Sequence, residues 1–287
     1  IMNDVLTDLG IVSALGVGVE ETARRMAIGD TSGMKLLKGA LPGNDETVFG
    51  FAALPEAAFA AAPTRVAALL DAALEQLKPA LERLRREVPS SRIGAVIGTS
   101  NSTMEEFTSN PDRIDMAYPS QRLRTEWGVG GPAWVVSTAC SSSAKVFASA
   151  RQLIADGLCD AVLVGGADAF TRVVLNGFYS LEAISPRLTR PLAADRDGIN
   201  LGEGAAVFIL RRRKAESSDV SLLGVGESSD AHHLTAPDPE GRGAEAAMRG
   251  ALADAHLAPE TVDYINLHGT GTVYNDAMEC AAVRRVF

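Results

Sequence analysis

Positive charge is in short supply in this chain: 27 Lys and Arg stand against 36 Asp and Glu, a formal net charge of −9. That balance argues against general nucleic-acid binding, although a local basic patch for an acidic partner is compatible with it. Cysteine is scarce as well. Three cysteines, an odd number without regular spacing, argue against a disulfide framework and for a reducing, cytoplasmic compartment. No cluster has zinc spacing, so no metal is expected. No apolar run approaches the length of a membrane span, and no basic n-region followed by an apolar stretch marks a signal peptide. Aromatics are few, at 5%, while 46% hydrophobic residues and 27 glycines in 287 residues fit a globular α/β protein of one large or two medium domains.

What is present centres on Val135-Val136-Ser137-Thr138-Ala139-Cys140-Ser141-Ser142-Ser143. A β-rich apolar run, Ala133 to Val136, stops short of Cys140, and Ala144 to Ala155 reads as a helix. A cysteine at such a joint meets orphan N–H groups and the helix macrodipole, which stabilise a thiolate. Small neighbours leave its sulfur room to meet a substrate. The alternative is a buried structural cysteine, the usual fate of a free one.

The organisation looks duplicated. Thr64 to Glu87 is an amphipathic helix with Val66, Leu69, Leu70, Leu74, Leu77, Leu81 and Leu84 on one stripe. A short turn leads to the strand Ile93 to Ile97, which ends in Gly98-Thr99-Ser100. The order recurs later, with a strand at Ser221 to Val225, a helix at Ala244 to Ala255, and a strand at Val262 to Leu267 ending in His268-Gly269-Thr270-Gly271-Thr272. Such a repeat predicts two related halves, 1–218 and 219–287, with a boundary near Ser218 and their loop tips near one site. The basic run Arg211 to Lys214 reads as a solvated strand exit.

STACSSS, the segment from Gly177 to Leu210 and the loop HGTGT, in this order and separation, resemble the β-ketoacyl-acyl-carrier-protein synthases. The likeness runs from Leu9 to Phe287. The segments Gly226 to His233 and Pro237 to Gly241 add a narrower likeness to the synthases of bacterial aryl-polyene clusters. The resemblance implies a thiolase-like fold, two duplicated βαβαβ-type halves in an α-β-α-β-α layered sandwich, and a dimer. It also implies a decarboxylative Claisen condensation between an acyl thioester and malonyl-acyl carrier protein, in fatty acid or polyene/polyketide biosynthesis.

By the same resemblance Cys140 takes the acyl group as a thioester, its own N–H contributing to an oxyanion hole. His268 serves decarboxylation of the malonyl unit; a lone histidine at a strand end would otherwise read as structural. Thr270 and Thr272 bind the phosphopantetheine arm of acyl carrier protein, which acts as substrate carrier with no other cofactor bound. His232 and His233 line the approach to the pocket, or are ordinary surface histidines. Glu203 supports the floor of the site. The stretch Asp195 to Glu203 has part of a calcium-loop pattern, but its sixth and twelfth positions, Asn200 and Ala206, fail the EF-hand requirement. Cys159 and Cys280 read as packing residues in helix-like stretches.

Expected partners are acyl carrier protein, docked through Lys35, Lys38, Arg65, Arg122 and Arg124, and a second subunit, identical or homologous, paired through the strand Gly131 to Thr138. The family's second half continues past the position matching Phe287, with a further catalytic histidine there, so the C-terminal half is incomplete and these residues alone are expected to be inactive. Two other readings share the fold. A thiolase acting on coenzyme A thioesters is disfavoured by HGTGT, and a non-catalytic chain-length-factor subunit is disfavoured by Cys140.

Overall fold

The computed structural model describes residues 2–105, 114–216, 219–233 and 235–287; Ser218, the expected half boundary, lies outside them. The strands are β1 (Asn3–Ser13), β2 (Gly16–Val17), β3 (Met34–Leu37), β4 (Thr47–Gly50) and β5 (Ile93–Gly98), then β6 (Ala133–Val136), β7 (Ala161–Asp168), β8 (Leu201–Gly202), β9 (Gly204–Arg213) and β10 (Val220–Ser221). The α-helices are α1 (Val19–Ala27), α2 (Glu56–Ala61), α3 (Arg65–Glu87) and α4 (Tyr118–Thr125), then α5 (Ser142–Ala155), α6 (Arg172–Ser180), α7 (Arg242–Ala255) and α8 (Val273–Val286). They belong to two compact units, one of Ile1–Lys35, Phe49–Leu175 and Gly202–Leu222, the other of Leu36–Val48, Asn176–Leu201 and Leu223–Phe287.

The first unit is built on a seven-stranded sheet in the order β10-β1-β9-β7-β5-β6, with β2 paired to the end of β1. Strands β6, β5 and β7 run parallel, and β9 is antiparallel to both β7 and β1. Because side chains alternate along a strand, the sheet divides its apolar residues between two faces. Ile93, Ala95, Ile97, Leu163, Val207 and Ile209 meet α3 on one face, and Val96, Val162, Val164 and Leu210 meet α5 on the other. The helical stripe of α3 is buried throughout, Val66 to Leu84, as its spacing predicts. Each such side chain contributes roughly 1.5–3 kcal/mol, which makes α3 the principal anchor of this face. Thr64 starts the helix, its hydroxyl accepting from the Ala67 N–H at 3.1 Å.

Among the described residues strand β6 is an edge, paired with β5 alone. The expectation of a strand buried on both faces is not met within one chain: Trp134 is 38% exposed, and Ala133, Val135 and Val136 are half-buried. The basic run at the end of β9 is tied to acidic neighbours, Arg211 to Glu87, Arg212 to Asp4 and Arg213 to Asp219. This is a neutralised strand exit.

In the second unit α7 and α8 are linked by Glu245, which takes both Arg249 at 2.9 Å and Arg285 at 2.6 Å. Two expected strands are corrected here. In place of Ser221 to Val225 the ladder is Val220–Ser221, sharing only Ser221 with the expected strand, and Val262 to Leu267 is extended near its start but pairs with no strand among the described residues. A strand needs a partner for its backbone groups, which alternating apolar residues alone do not supply. No helix among the described residues is long and apolar enough to cross a membrane.

Candidate active site

Parallel β5, β6 and β7 bring their C-terminal ends to one edge of the sheet, and the chain leaves that edge in three turns. The turn after β6 carries Cys140. Ala139 adopts a left-handed φ of 55°, Cys140 follows it, and α5 begins at Ser142. A left-handed alanine costs about 1–2 kcal/mol, so the surroundings must over-determine it. They do so by hydrogen bonds and by close packing. The Ser142 hydroxyl accepts from the Thr138 N–H at 2.9 Å and donates to the Ala139 carbonyl at 2.6 Å, while the Ser141 hydroxyl donates to the Thr138 carbonyl at 2.8 Å. Glycines on the sheet let the helix start approach. A Cβ at Gly98 would lie 2.5 Å from the Ser142 carbonyl, and one at Gly166 would lie 2.1 Å from the Ser143 hydroxyl oxygen. The result is an exposed thiol at a strand-to-helix joint, as the sequence predicts.

Asp168, at the end of β7, locks the neighbouring turn. Its Oδ1 accepts from the Thr99 hydroxyl and the Ser100 N–H, both at 2.8 Å, and from the Asn101 N–H at 3.3 Å. The Asn101 side-chain amide in turn donates to the Ala169 carbonyl at 2.8 Å. Behind this edge lies Glu203, its side chain 0% exposed. It accepts from Arg65 through two guanidinium nitrogens at 2.6 Å each, from the Phe170 N–H at 3.0 Å and from the Ala52 N–H at 3.3 Å. The carboxylate is thus buried and fully partnered, which offsets the cost of holding a charge there.

The same contact corrects the docking patch. Arg65 lies over the Phe59 ring and serves Glu203, and Arg122 makes a two-point pair with Asp71 that raises its own pKa. Neither is a solvated cation. Arg124 donates to the Gly131 carbonyl at 2.9 Å, Lys38 pairs with Glu46 at 2.7 Å, and Lys35 is exposed.

In the second unit the HGTGT loop runs directly into α8, and α8 reaches back to hold it. Glu279 accepts from the His268 N–H at 2.6 Å and the Gly269 N–H at 2.9 Å. Asp276, 1% exposed, accepts from the Gly271 N–H at 3.1 Å and the Leu192 N–H at 2.8 Å. The Thr270 and Thr272 hydroxyls meet at 2.8 Å, and the Gly198 N–H donates to the Gly271 carbonyl at 3.0 Å. Asp276 and Glu279 are missed by the sequence reading. Their signal was available: acidic residues in the helix that follows a loop whose backbone N–H groups need acceptors.

His268 is exposed, and so are His232 and His233, which sit on a separate loop. His233 Nδ1 lies 3.2 Å from the Thr235 N–H, and Asp230 holds the His232 N–H at 3.4 Å. In the Asp195 to Asn200 stretch Asp197 accepts from the Ser185 hydroxyl at 2.7 Å and Asn200 from the Thr189 N–H at 2.8 Å, so both are spent on the turn itself. Among the described residues no group of three or more His, Cys, Asp or Glu is placed to hold a metal. Cys159 is corrected to the turn between α5 and β7, where burial pushes its thiol pKa up; Cys280 is half-buried in α8.

Comparison with known proteins adds a family. The model of the beta-ketoacyl synthase N-terminal domain matches residues 30–216, and that of the C-terminal domain matches 220–287. Nodulation protein E of Rhizobium leguminosarum bv. trifolii is 45% identical over 166 residues, 56% of this chain and 41% of that protein. The 3-oxoacyl-[acyl-carrier-protein] synthase 2 of Coxiella burnetii is 32% identical over 229 residues, 70% of this chain and 55% of that protein. The matched region thus spans about half the length of these curated relatives or less. Among solved structures, one chain of the ketosynthase ApeO in complex with its chain length factor ApeC from Xenorhabdus doucetiae superposes with a TM-score of 0.92 at 37% identity, covering 100% of this chain and 76% of its own. The ishigamide ketosynthase/chain length factor superposes at 0.84 with 28% identity, over 100% of this chain and 78% of its own.

Proposed function

The chain belongs to the β-ketoacyl synthase family and has its thiolase-type fold, and on that premise we propose that it extends acyl chains by decarboxylative condensation. The observation that carries the reading is the exposed Cys140 on a turn locked ahead of α5. Its sulfur attacks the carbonyl carbon of an acyl group carried on the phosphopantetheine arm of acyl carrier protein. The bond from that carbon to the arm's sulfur breaks, the arm leaves as a thiol with the proton, and the acyl group rests on Cys140. A malonyl unit on a second carrier protein then loses carbon dioxide, and the electrons of the broken carbon–carbon bond form an enolate. The enolate carbon attacks the acyl carbonyl, Cys140 departs as thiolate, and a β-ketoacyl thioester two carbons longer remains on the arm.

In this scheme His268 stabilises the enolate, and Thr270 and Thr272 hold the arm. His232 and His233 line the approach, and Glu203 keeps the floor of the site rigid. The subunit partner is a homologous chain, in keeping with the ketosynthase and chain-length-factor complexes it resembles, and the exposed β6 edge is the surface offered for it. The narrower likeness of the Gly226 to Gly241 stretch favours a polyene-type acyl chain. A chain-length-factor role is the second reading, supported by the same two complexes; a retained thiol in a built turn favours the catalytic one.

Incubation with carrier protein bearing a long acyl chain, followed by peptide mass measurement, tests the nucleophile. The acyl mass is expected on the Cys140 peptide and is expected to vanish in Cys140→Ser. Acylation at Cys159 or Cys280 contradicts the assignment.

A further inference from the structure

The reading above uses Cys140 and leaves its scaffold without a role. Ser141 ties itself to Thr138, through the carbonyl at 2.8 Å and the hydroxyl at 3.0 Å, whereas Ser142 reaches both Thr138 and Ala139. It is 1% exposed, and its hydroxyl closes a ring with the Thr138 N–H at 2.9 Å and the Ala139 carbonyl at 2.6 Å. Those two backbone groups flank the peptide that must turn into the left-handed region, with Ala139 at φ 55°. Alanine is poorly suited to that region, since its Cβ crowds the following carbonyl. The pull on both sides of residue 139 therefore has to come from elsewhere, and the Ser142 hydroxyl supplies it.

We propose that Ser142 is a positioning residue, whose hydroxyl holds Ala139 in its left-handed conformation and thereby fixes the direction in which Cys140 presents its sulfur. The arrangement is specific to a hydroxyl at this place. An apolar side chain would leave the Thr138 N–H and the Ala139 carbonyl without this buried partner. The packing behind it prevents easy relaxation in place, because the Ser142 backbone is seated on Gly98 and the next residue on Gly166, where even a Cβ would collide. The functional meaning of the proposal rests on Cys140 being the nucleophile, but the geometry does not.

The test needs no carrier protein. Each cysteine is alkylated with iodoacetamide at fixed pH, and the rates are followed by peptide mass, with Cys280 in α8 as internal reference. Ser142→Ala is expected to slow Cys140 about tenfold relative to Cys280, the scale of one lost buried hydrogen-bonding partner. Ala139→Gly removes the conformational conflict, so in the double variant A139G/S142A the Cys140 rate is expected to return to within about twofold of the unsubstituted protein, because glycine enters the left-handed region without cost. That rescue separates positioning from general loosening, which a glycine would worsen. An unchanged rate in S142A, or an equal slowing in the double variant, overturns the proposal. If S142A alone does not fold, the double variant decides: a near-normal rate supports the proposal and a slow one overturns it. Absence of acyl transfer to Cys140 would sink the ketosynthase reading and leave these rates as they are.

Discussion

In the first unit Cys140 is seated by packing and by neutral hydroxyl hydrogen bonds, on a turn pressed against Gly98 and Gly166 at the edge of a sheet that α3 and α5 cover on opposite faces. In the second unit the backbone of His268 is held by polar bonds, from Glu279 to two successive N–H groups and from Asp276 to a third. The difference has physical consequences. Close packing against a core responds to volume and hardly at all to pH, whereas a loop tied by carboxylates responds to charge. Two catalytic candidates in one chain therefore carry different vulnerabilities, and each can be disturbed without the other.

The largest effect is expected from volume in the first unit. Gly98→Ala places a Cβ 2.5 Å from the Ser142 carbonyl, and overpacking of this kind costs about 1–3 kcal/mol. Thermal unfolding is expected to show that loss, with Cys140 alkylation altered and amide protection of the HGTGT loop unchanged. Loss of protection in the loop instead would erase the contrast.

An effect of similar energy but confined to one loop is expected from charge in the second unit. Glu279→Gln keeps the size of the side chain but replaces an acceptor oxygen by an N–H₂ facing the His268 or Gly269 N–H. Hydrogen bonds to a charged group contribute about 1.5–3 kcal/mol, so exchange at residues 268–271 should speed by one to two orders of magnitude while Cys140 alkylation stays put. Unchanged exchange would show that the loop is held by something other than Glu279.

The smallest effect concerns acid. Hydrogen bonds from Arg285 and then Arg249 hold the Glu245 carboxyl below its ordinary pKa of 4.5. A depressed folded pKa means that the stabilisation is present above pH 4.5 and fades as pH falls through the lower folded value. Exchange from α7, corrected for its intrinsic pH dependence, should lose protection in that acid window. Glu245→Gln should flatten the loss; equal slopes in the two proteins would remove Glu245 from the account.

Much of this contrast was legible from the residues. The stripe of α3 and the joint around Cys140 are local patterns, since helical spacing and a strand-to-helix boundary need no distant information. The rest depends on partners far along the chain. Arg65 reads as a surface cation until Glu203 is folded against it, 138 residues away. Val262 to Leu267 is a short, largely apolar segment that reads as a strand, yet a ladder needs a neighbour that the segment itself does not specify. Asp276 and Glu279 read as acidic residues of an ordinary helix, and only the loop's backbone donors give them a task.

In the proposed function Cys140 takes the acyl group and His268 serves decarboxylation, and following both steps in His268→Ala separates the two roles. Cys140 acylation and product formation are followed with acyl and malonyl carrier proteins in the same reaction. The variant is expected still to acylate Cys140 while condensation falls about 100-fold or more, the scale of losing one positioned catalytic group. Condensation at the unsubstituted rate, or failure to acylate Cys140 at all, would contradict this assignment of roles.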